Sequence, residues 1–121
     1  HCSSIVGGIP SIATGIAAAN KIKGNDEWVW CWLGDMSAET GAFAEAYKYA
    51  VAQELPITFV IEDNELSVET PTAEVWGNRQ KWYLNRAQLD TKGFWTNPNL
   101  VYYKYKNNKY PHAGAGIRVQ F

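Results

Sequence analysis

Sulfur is scarce in this sequence: 121 residues hold two cysteines, Cys2 and Cys31, and one methionine. One cysteine near the start and one inside an apolar run give neither a disulfide ladder nor a paired metal-ligand spacing, so a reducing compartment is the simpler reading. An excess of either charge is also missing. Lys+Arg of 11 against Asp+Glu of 12 leaves a formal charge of -1, and no chain-wide field would draw in nucleic acid or an anionic membrane. No run approaches the ~20 apolar residues of a membrane span, and the opening has no basic flank ahead of a hydrophobic segment. The expectation is a soluble, cytoplasmic protein with no nucleic-acid or membrane partner, which recognises others by shape and local chemistry. Histidine occurs twice, as His1 and His112. The chain opens on His1 rather than Met, so the residues it lacks are given no weight.

Apolar and aromatic residues are plentiful. A hydrophobic content of 46% supports one core, and the length falls within the roughly 100–200 residues usual for one domain. Residues 1–121 are therefore expected to form a single domain. Six Trp and seven Tyr point to aromatic burial in a core or against a partner.

Along the chain, Gly7-Gly8-Ile9-Pro10 reads as a turn into a helix, with Pro10 suited to the first turn. Ile9, Ile12, Ile16 and Ala19 recur at helical spacing until Gly24, and Gly15 within that helix suggests close packing against a neighbour. Trp28 to Leu33 has the pattern of a strand buried on both faces, and it ends at Gly34-Asp35. A second helix is expected from near Thr40 to Val51, stopping before Pro56. Ile57 to Ile61 is a second buried-type strand, ending in Glu62-Asp63-Asn64-Glu65. Helix, strand, helix, strand at these lengths predicts an α/β fold, a parallel sheet with helices on both faces. Beyond Ser67 the signal weakens: Trp76 to Leu84 suits a short helix and Leu100 to Tyr105 a third strand.

In such sheets ligands bind beyond the carboxyl ends of the strands, where Gly34-Asp35 and Asp63-Asn64 both fall. A hard divalent cation wants oxygen ligands and commonly bridges a carboxylate to phosphates. Asp35 offers the carboxylate, Asn64 an amide oxygen and Leu66 a backbone carbonyl. Met36 and Ser37, in the backbone between Gly34 and the second helix, are placed to offer free N–H groups that suit phosphate oxygens. Each residue also has a structural alternative: Asp35 as a helix N-cap, Asn64 as a turn residue bonded to its own backbone. Glu62, Asp63 and Glu65 read as solvated acids at a strand end. Cys31 reads as core, and Trp28, Trp30 and Trp32 as a core or subunit face.

Gly34-Asp35, Gly41, Glu45-Ala46, Leu55-Pro56 and Asp63-Asn64 together resemble the thiamine diphosphate motif, with Asn64 following Asp35 by 29 positions. Upstream, Ser4-Ile5-Val6-Gly7 and the helix ending Lys21-Ile22-Lys23-Gly24 look like the alpha subunits of 2-oxo acid dehydrogenases. The resemblance covers residues 4–72, leaving 73–121 unassigned, so it implies a truncated thiamine-diphosphate-binding fold. It further implies thiamine diphosphate and Mg²⁺ as cofactors, backbone contacts from Ser4 and Val6 to the aminopyrimidine ring, and diphosphate contacts around Gly34, Asp35, Met36, Ser37 and Asn64. The family's catalytic histidine has its loose candidate in His112. A pyrimidine-binding domain or beta-type subunit from another polypeptide is implied as partner, in an oligomer, because the carboxylate that activates the cofactor lies there. Met36 departs from the family's small residue and Asp63 from the first Asn of its closing pair. The expected function is the cofactor-diphosphate-binding half of an enzyme acting on a 2-oxo acid. The alternatives are a non-catalytic shortened relative serving as a binding module and half of a transketolase-like two-carbon transferase.

Overall fold

In a computed structural model, residues 1–68 and 70–106 are described. Gly7, at φ 78°, turns the chain into α1 (Gly8–Lys23), and a Cβ there would stand 3.2 Å from Thr40 Oγ1. Gly24, at φ 69°, closes the helix by donating its N–H to the Asn20 and Lys21 carbonyls, which only a residue at ease in the left-handed region does cheaply. β1 (Val29–Gly34) follows, then a single helical turn, α2 (Asp35–Ala38), that the sequence does not announce. Thr40 caps α3 (Gly41–Ala52), its Oγ1 accepting from Phe43 N–H at 3.3 Å. β2 (Ile57–Asp63), the short hairpin β3 (Leu66–Ser67) and β4 (Thr70–Pro71), and α4 (Thr72–Trp76) come next. A 3₁₀ turn at Trp82–Arg86 leads to β5 (Gln88–Leu89), β6 (Trp95–Asn97) and β7 (Leu100–Lys104).

The main sheet runs β1-β2-β7-β6-β5. β1, β2 and β7 are parallel, and β6 and β5 extend the sheet antiparallel, so the α/β class holds with a mixed rather than purely parallel sheet. The core joins Ala13 and Ala17 of α1, Phe43, Ala46, Tyr47 and Ala50 of α3, and the sheet residues Cys31, Leu33, Ile57, Phe59, Ile61, Leu100 and Tyr102. Aromatic rings knit it: Phe43 lies 5.3 Å from Phe59 and 5.7 Å from both Tyr47 and Trp82. Burial pushes the Cys31 thiol up to about 11, so it behaves as a small apolar filler.

Three expectations change. β2 is buried on both faces, as read, but β1 is an edge strand buried only on alternate residues. Trp28, Trp30 and Trp32 point the other way and are about half exposed, 48%, 53% and 56%. Trp28 Nε1 donates to Thr58 Oγ1 at 2.9 Å, and the Trp30 and Trp32 rings lie 6.1 Å apart. On α1 the buried stripe is Pro10, Ala13, Thr14 and Ala17, while Ile12 and Ile16 face out. A small-residue stripe lets α1 approach its neighbours closely, and that steric need outweighed the isoleucine periodicity. Gly15 is not part of it, since a Cβ there meets nothing within 4 Å. Gly15→Ala is therefore expected to stabilise the chain by roughly 0.5–1 kcal/mol, read as a higher midpoint in urea. Lastly, the segment Trp76–Leu84 is not one helix: α4 ends at Trp76 and the 3₁₀ turn begins at Trp82.

Candidate functional site

The register of β1 and β2 pairs Gly34 with Glu62, which brings Asp35 and the turn Asp63-Asn64 to the same sheet end. Asp35 opens α2 and is almost wholly buried, 1% exposed. Its Oδ2 accepts the hydroxyl of Thr72, the first residue of α4, while its Oδ1 is buried with no hydrogen-bond partner. Removal from water holds its carboxyl above the ordinary aspartate range. The Thr72 bond lowers it, Asp63's charge adds to the rise, and Lys81 opposes it. A buried, half-satisfied carboxylate is costly unless something positive reaches it. The free oxygen therefore fits a hard cation.

Asn64 lies in the tight turn that follows β2. Its Oδ1 accepts Leu66 N–H at 3.1 Å, which is the turn-residue arrangement, although an amide oxygen has a second lone pair to give. Glu65 takes φ 63°, a left-handed value that a glutamate adopts only when the turn is fixed from both sides. Its carbonyl accepts Thr72 N–H at 2.9 Å, so Thr72 ties the turn and Asp35 together through backbone and hydroxyl.

Asp63 corrects the expectation of a solvated acid, being wholly buried. Oδ1 accepts Glu65 N–H at 2.8 Å and Oδ2 accepts the Tyr102 hydroxyl at 2.6 Å. Its inward position follows from the strand's two-residue period through Ile57, Phe59 and Ile61. Glu62 instead accepts the Tyr103 hydroxyl, and Glu65 pairs with Lys104 at 2.6 Å. Tyr83, 1% exposed, packs its ring 6.0 Å from that of Tyr102 and leaves its own hydroxyl buried without a partner. Burial and the surrounding acids hold the Tyr83 and Tyr102 hydroxyls protonated far above neutral pH. Glu39, at 3.7 Å from Lys81, completes the buried polar group. Thr72, Tyr83 and Lys81 left no sequence signal, because each arrives from an element with no spacing relation to the motif, whereas Glu39 closes the turn that Asp35 opens.

Beside this group lies a cavity of about 300 Å³ whose lining includes Ser4, Val6, Gly34, Ser37, Trp32 and Glu62. The structure thus brings Ser4 and Val6 to Gly34 and the start of α2, which has no side-chain cap over its first N–H groups. Met36, the departure from a small residue, directs its sulfur to Trp76, whose Nε1–H lies 3.1 Å away. Among the described residues no cluster of three His, Cys, Asp or Glu could hold a metal ion, so any cation here relies on amide and carbonyl oxygens as well. No described helix is long and apolar enough to cross a membrane. The catalytic candidate His112 lies outside the described residues.

These features define an α/β protein whose candidate site sits beyond the carboxyl ends of parallel strands, a set of buried oxygen atoms next to a cavity. The sequence profile described as "Dehydrogenase E1 component" matches residues 1–90. The chain belongs to the dehydrogenase E1 component family. It is similar to "Pyruvate dehydrogenase E1 component subunit alpha" of Rickettsia prowazekii (strain Madrid E), 39% identical over 74% of this chain and 29% of the relative. The same-named protein of Rhizobium meliloti (strain 1021) is 35% identical over 54% of this chain and 19% of its own. The testis-specific mitochondrial form of that subunit from Homo sapiens is 40% identical over 58% and 18%. The chain spans less than a third of the length of these curated relatives.

Proposed function

We propose that this chain is the diphosphate-anchoring half of a thiamine-diphosphate-dependent enzyme acting on a 2-oxo acid. The buried Oδ1 of Asp35, with no hydrogen-bond partner, supports the proposal: in a family named for dehydrogenase E1 components, it is an acid oxygen at the expected strand end whose chemistry fits a hard cation. Asp35, the Asn64 amide oxygen and the Leu66 carbonyl would hold Mg²⁺. The N–H groups of Met36 and Ser37, beside Gly34, would receive diphosphate oxygens. Ser4 and Val6, which share the cavity with Gly34 and Ser37, would meet the aminopyrimidine ring through their backbone. When bound, the cofactor supplies the electron sink for decarboxylation and acyl transfer. The chain's own contribution is to bind, orient and exclude water, and Thr72 keeps Asp35 in place while it does so.

The carboxylate that activates the cofactor belongs to a pyrimidine-binding domain or beta-type subunit, and the segment between Ser4 and Gly24 contains no acid. Ile5, Val6, Trp30 and Trp32 are exposed apolar residues around the cavity mouth and the adjoining strand, a surface that suits a partner. The chain alone is expected not to exchange the cofactor's C2 proton with D₂O above the solution rate, and to accelerate it by at least about a hundredfold once a beta-type subunit is added. NMR of the C2 signal reads this. Fast exchange by the pure chain would overturn the split site. Metal-dependent binding with no exchange even with the partner would favour a non-catalytic binding module, and turnover of a ketose rather than a 2-oxo acid would favour a transketolase-like half.

A further inference from the structure

Thr72 is a buried polar residue, 3% exposed, whose two hydrogen bonds meet at the candidate cation site. Its hydroxyl donates to Asp35 Oδ2, and its N–H donates to the Glu65 carbonyl at 2.9 Å. The first bond leaves one oxygen of Asp35, Oδ1, buried with no hydrogen-bond partner among the described residues. The second fixes the turn that carries Asn64. Further bonds hold the same turn: Glu65 N–H donates to Asp63 Oδ1 at 2.8 Å, and Leu66 N–H to Asn64 Oδ1 at 3.1 Å. Both sides of the site are therefore tied to a single residue, the first of α4.

Divalent cations differ in what they ask of such a site. Mg²⁺ takes oxygens at about 2.0–2.1 Å in an octahedron and tolerates little distortion, whereas Ca²⁺ takes roughly six to eight at about 2.3–2.6 Å and often uses both oxygens of a carboxylate. With Oδ2 held by a hydroxyl, Asp35 has one oxygen to give, and a turn bonded at several places resists widening for a larger ion. We propose that Thr72 determines which metal the site takes: by holding Asp35 Oδ2 and the Asn64 turn together, it favours a small cation such as Mg²⁺ and discriminates against Ca²⁺. This rests on the assignment of Asp35, Asn64 and Leu66 as the cation's protein ligands and adds selectivity to it. Thr72 is a positioning residue, acting through Asp35 and the turn. Partners that orient a metal ligand in this way typically change metal affinity by about 10–100-fold when they are altered.

Titration of Mg²⁺ and, separately, of Ca²⁺ into the chain with thiamine diphosphate present tests the proposal, read by tryptophan fluorescence because Trp32 lines the adjoining cavity. Wild type is expected to bind Mg²⁺ at least about tenfold more tightly than Ca²⁺. Thr72→Val keeps the shape and removes the hydroxyl. It is expected to cut that ratio by about tenfold, through weaker Mg²⁺ binding with Ca²⁺ binding unchanged or tighter, while Thr72→Ser keeps the ratio within about threefold of wild type. Weakening of both metals alike in Thr72→Val, the mark of a merely structural role, would overturn the proposal. A wild-type ratio below about tenfold, or a Thr72→Ser variant that behaves like Thr72→Val, would overturn it too. In each of those cases, loss of metal binding in Asp35→Asn leaves the ligand assignment standing. Wild-type Mg²⁺ affinity in Asp35→Asn would instead overturn that assignment, and the selectivity proposal with it. If Thr72→Val shows no cooperative melting transition, Thr72→Ala serves as the hydroxyl-free variant, and if neither folds the wild-type ratio decides on the same threshold.

Discussion

Asp35→Ala is expected to cut metal-dependent binding of thiamine diphosphate by about a hundredfold or more, while the fold stays at least as stable as the wild type. The loss of affinity follows because residues that merely orient a metal ligand already cost about 10–100-fold when changed, and a charged ligand should cost at least the upper end of that range. The retained stability has a separate cause. Burial and the neighbouring Asp63 disfavour the Asp35 carboxylate in the folded chain, so its removal takes away a group whose ionisation opposes folding and sacrifices the hydrogen bond from Thr72. The sign is fixed by the direction of the shift. An acid whose folded pKa is raised opposes folding once pH exceeds its unfolded value, and the penalty grows until pH passes the folded value. Calorimetric titration paired with thermal melting reads both effects. Asn64→Ala should weaken binding less, since an amide brings no formal charge.

Phe43→Ala is expected to destabilise the fold by about 3–5 kcal/mol, among the largest effects of any single core truncation here. Phe43 is wholly buried and stands at the meeting point of α3, β2 and the 3₁₀ turn, with Phe59, Tyr47, Trp82 and Tyr83 all within 6.1 Å ring to ring. An alanine leaves a cavity that four rigid rings cannot close. Set against the roughly 5–15 kcal/mol of a typical domain, the loss should take a large share of the total stability. The midpoint in a thermal scan should fall by about 10 °C or more, and Phe43→Leu should fall by less, because most of the volume remains. The damage should reach the site as well, since Tyr83 bridges this aromatic group to Tyr102, whose hydroxyl holds Asp63.

The β1-α3-β2 frame was legible because each part has a local cause: apolar runs of strand length, Thr40 as a cap, and Pro56 ahead of β2. Gly34-Asp35 and Asp63-Asn64 were legible as a pair because parallel strands of equal reach must end together. The single turn α2 was not, since four residues carry too little periodicity to stand out. The burial of β1 was misjudged because an edge strand and a central strand share the same apolar composition here. Trp30 and Trp32 look like core residues by type and lie outside it by position. Asp63 was undervalued for the opposite reason. Acids at a strand end are usually solvated, and only the alternation through Ile61, together with Tyr102 from β7, reveals a buried one. Thr72, Lys81 and Tyr83 reach the site through long-range packing, which no spacing encodes.

The measurement that bears most directly on the account is equilibrium binding of thiamine diphosphate to the wild-type chain with Mg²⁺, with a chelator in place of Mg²⁺, and with thiamine lacking the diphosphate. Binding should appear only when the metal and the diphosphate are both present, because in the proposed site Asp35, Asn64 and Leu66 would hold a cation that ties the diphosphate to the chain. Equal binding in the chelator, or equal binding of thiamine itself, would contradict the metal-anchored site.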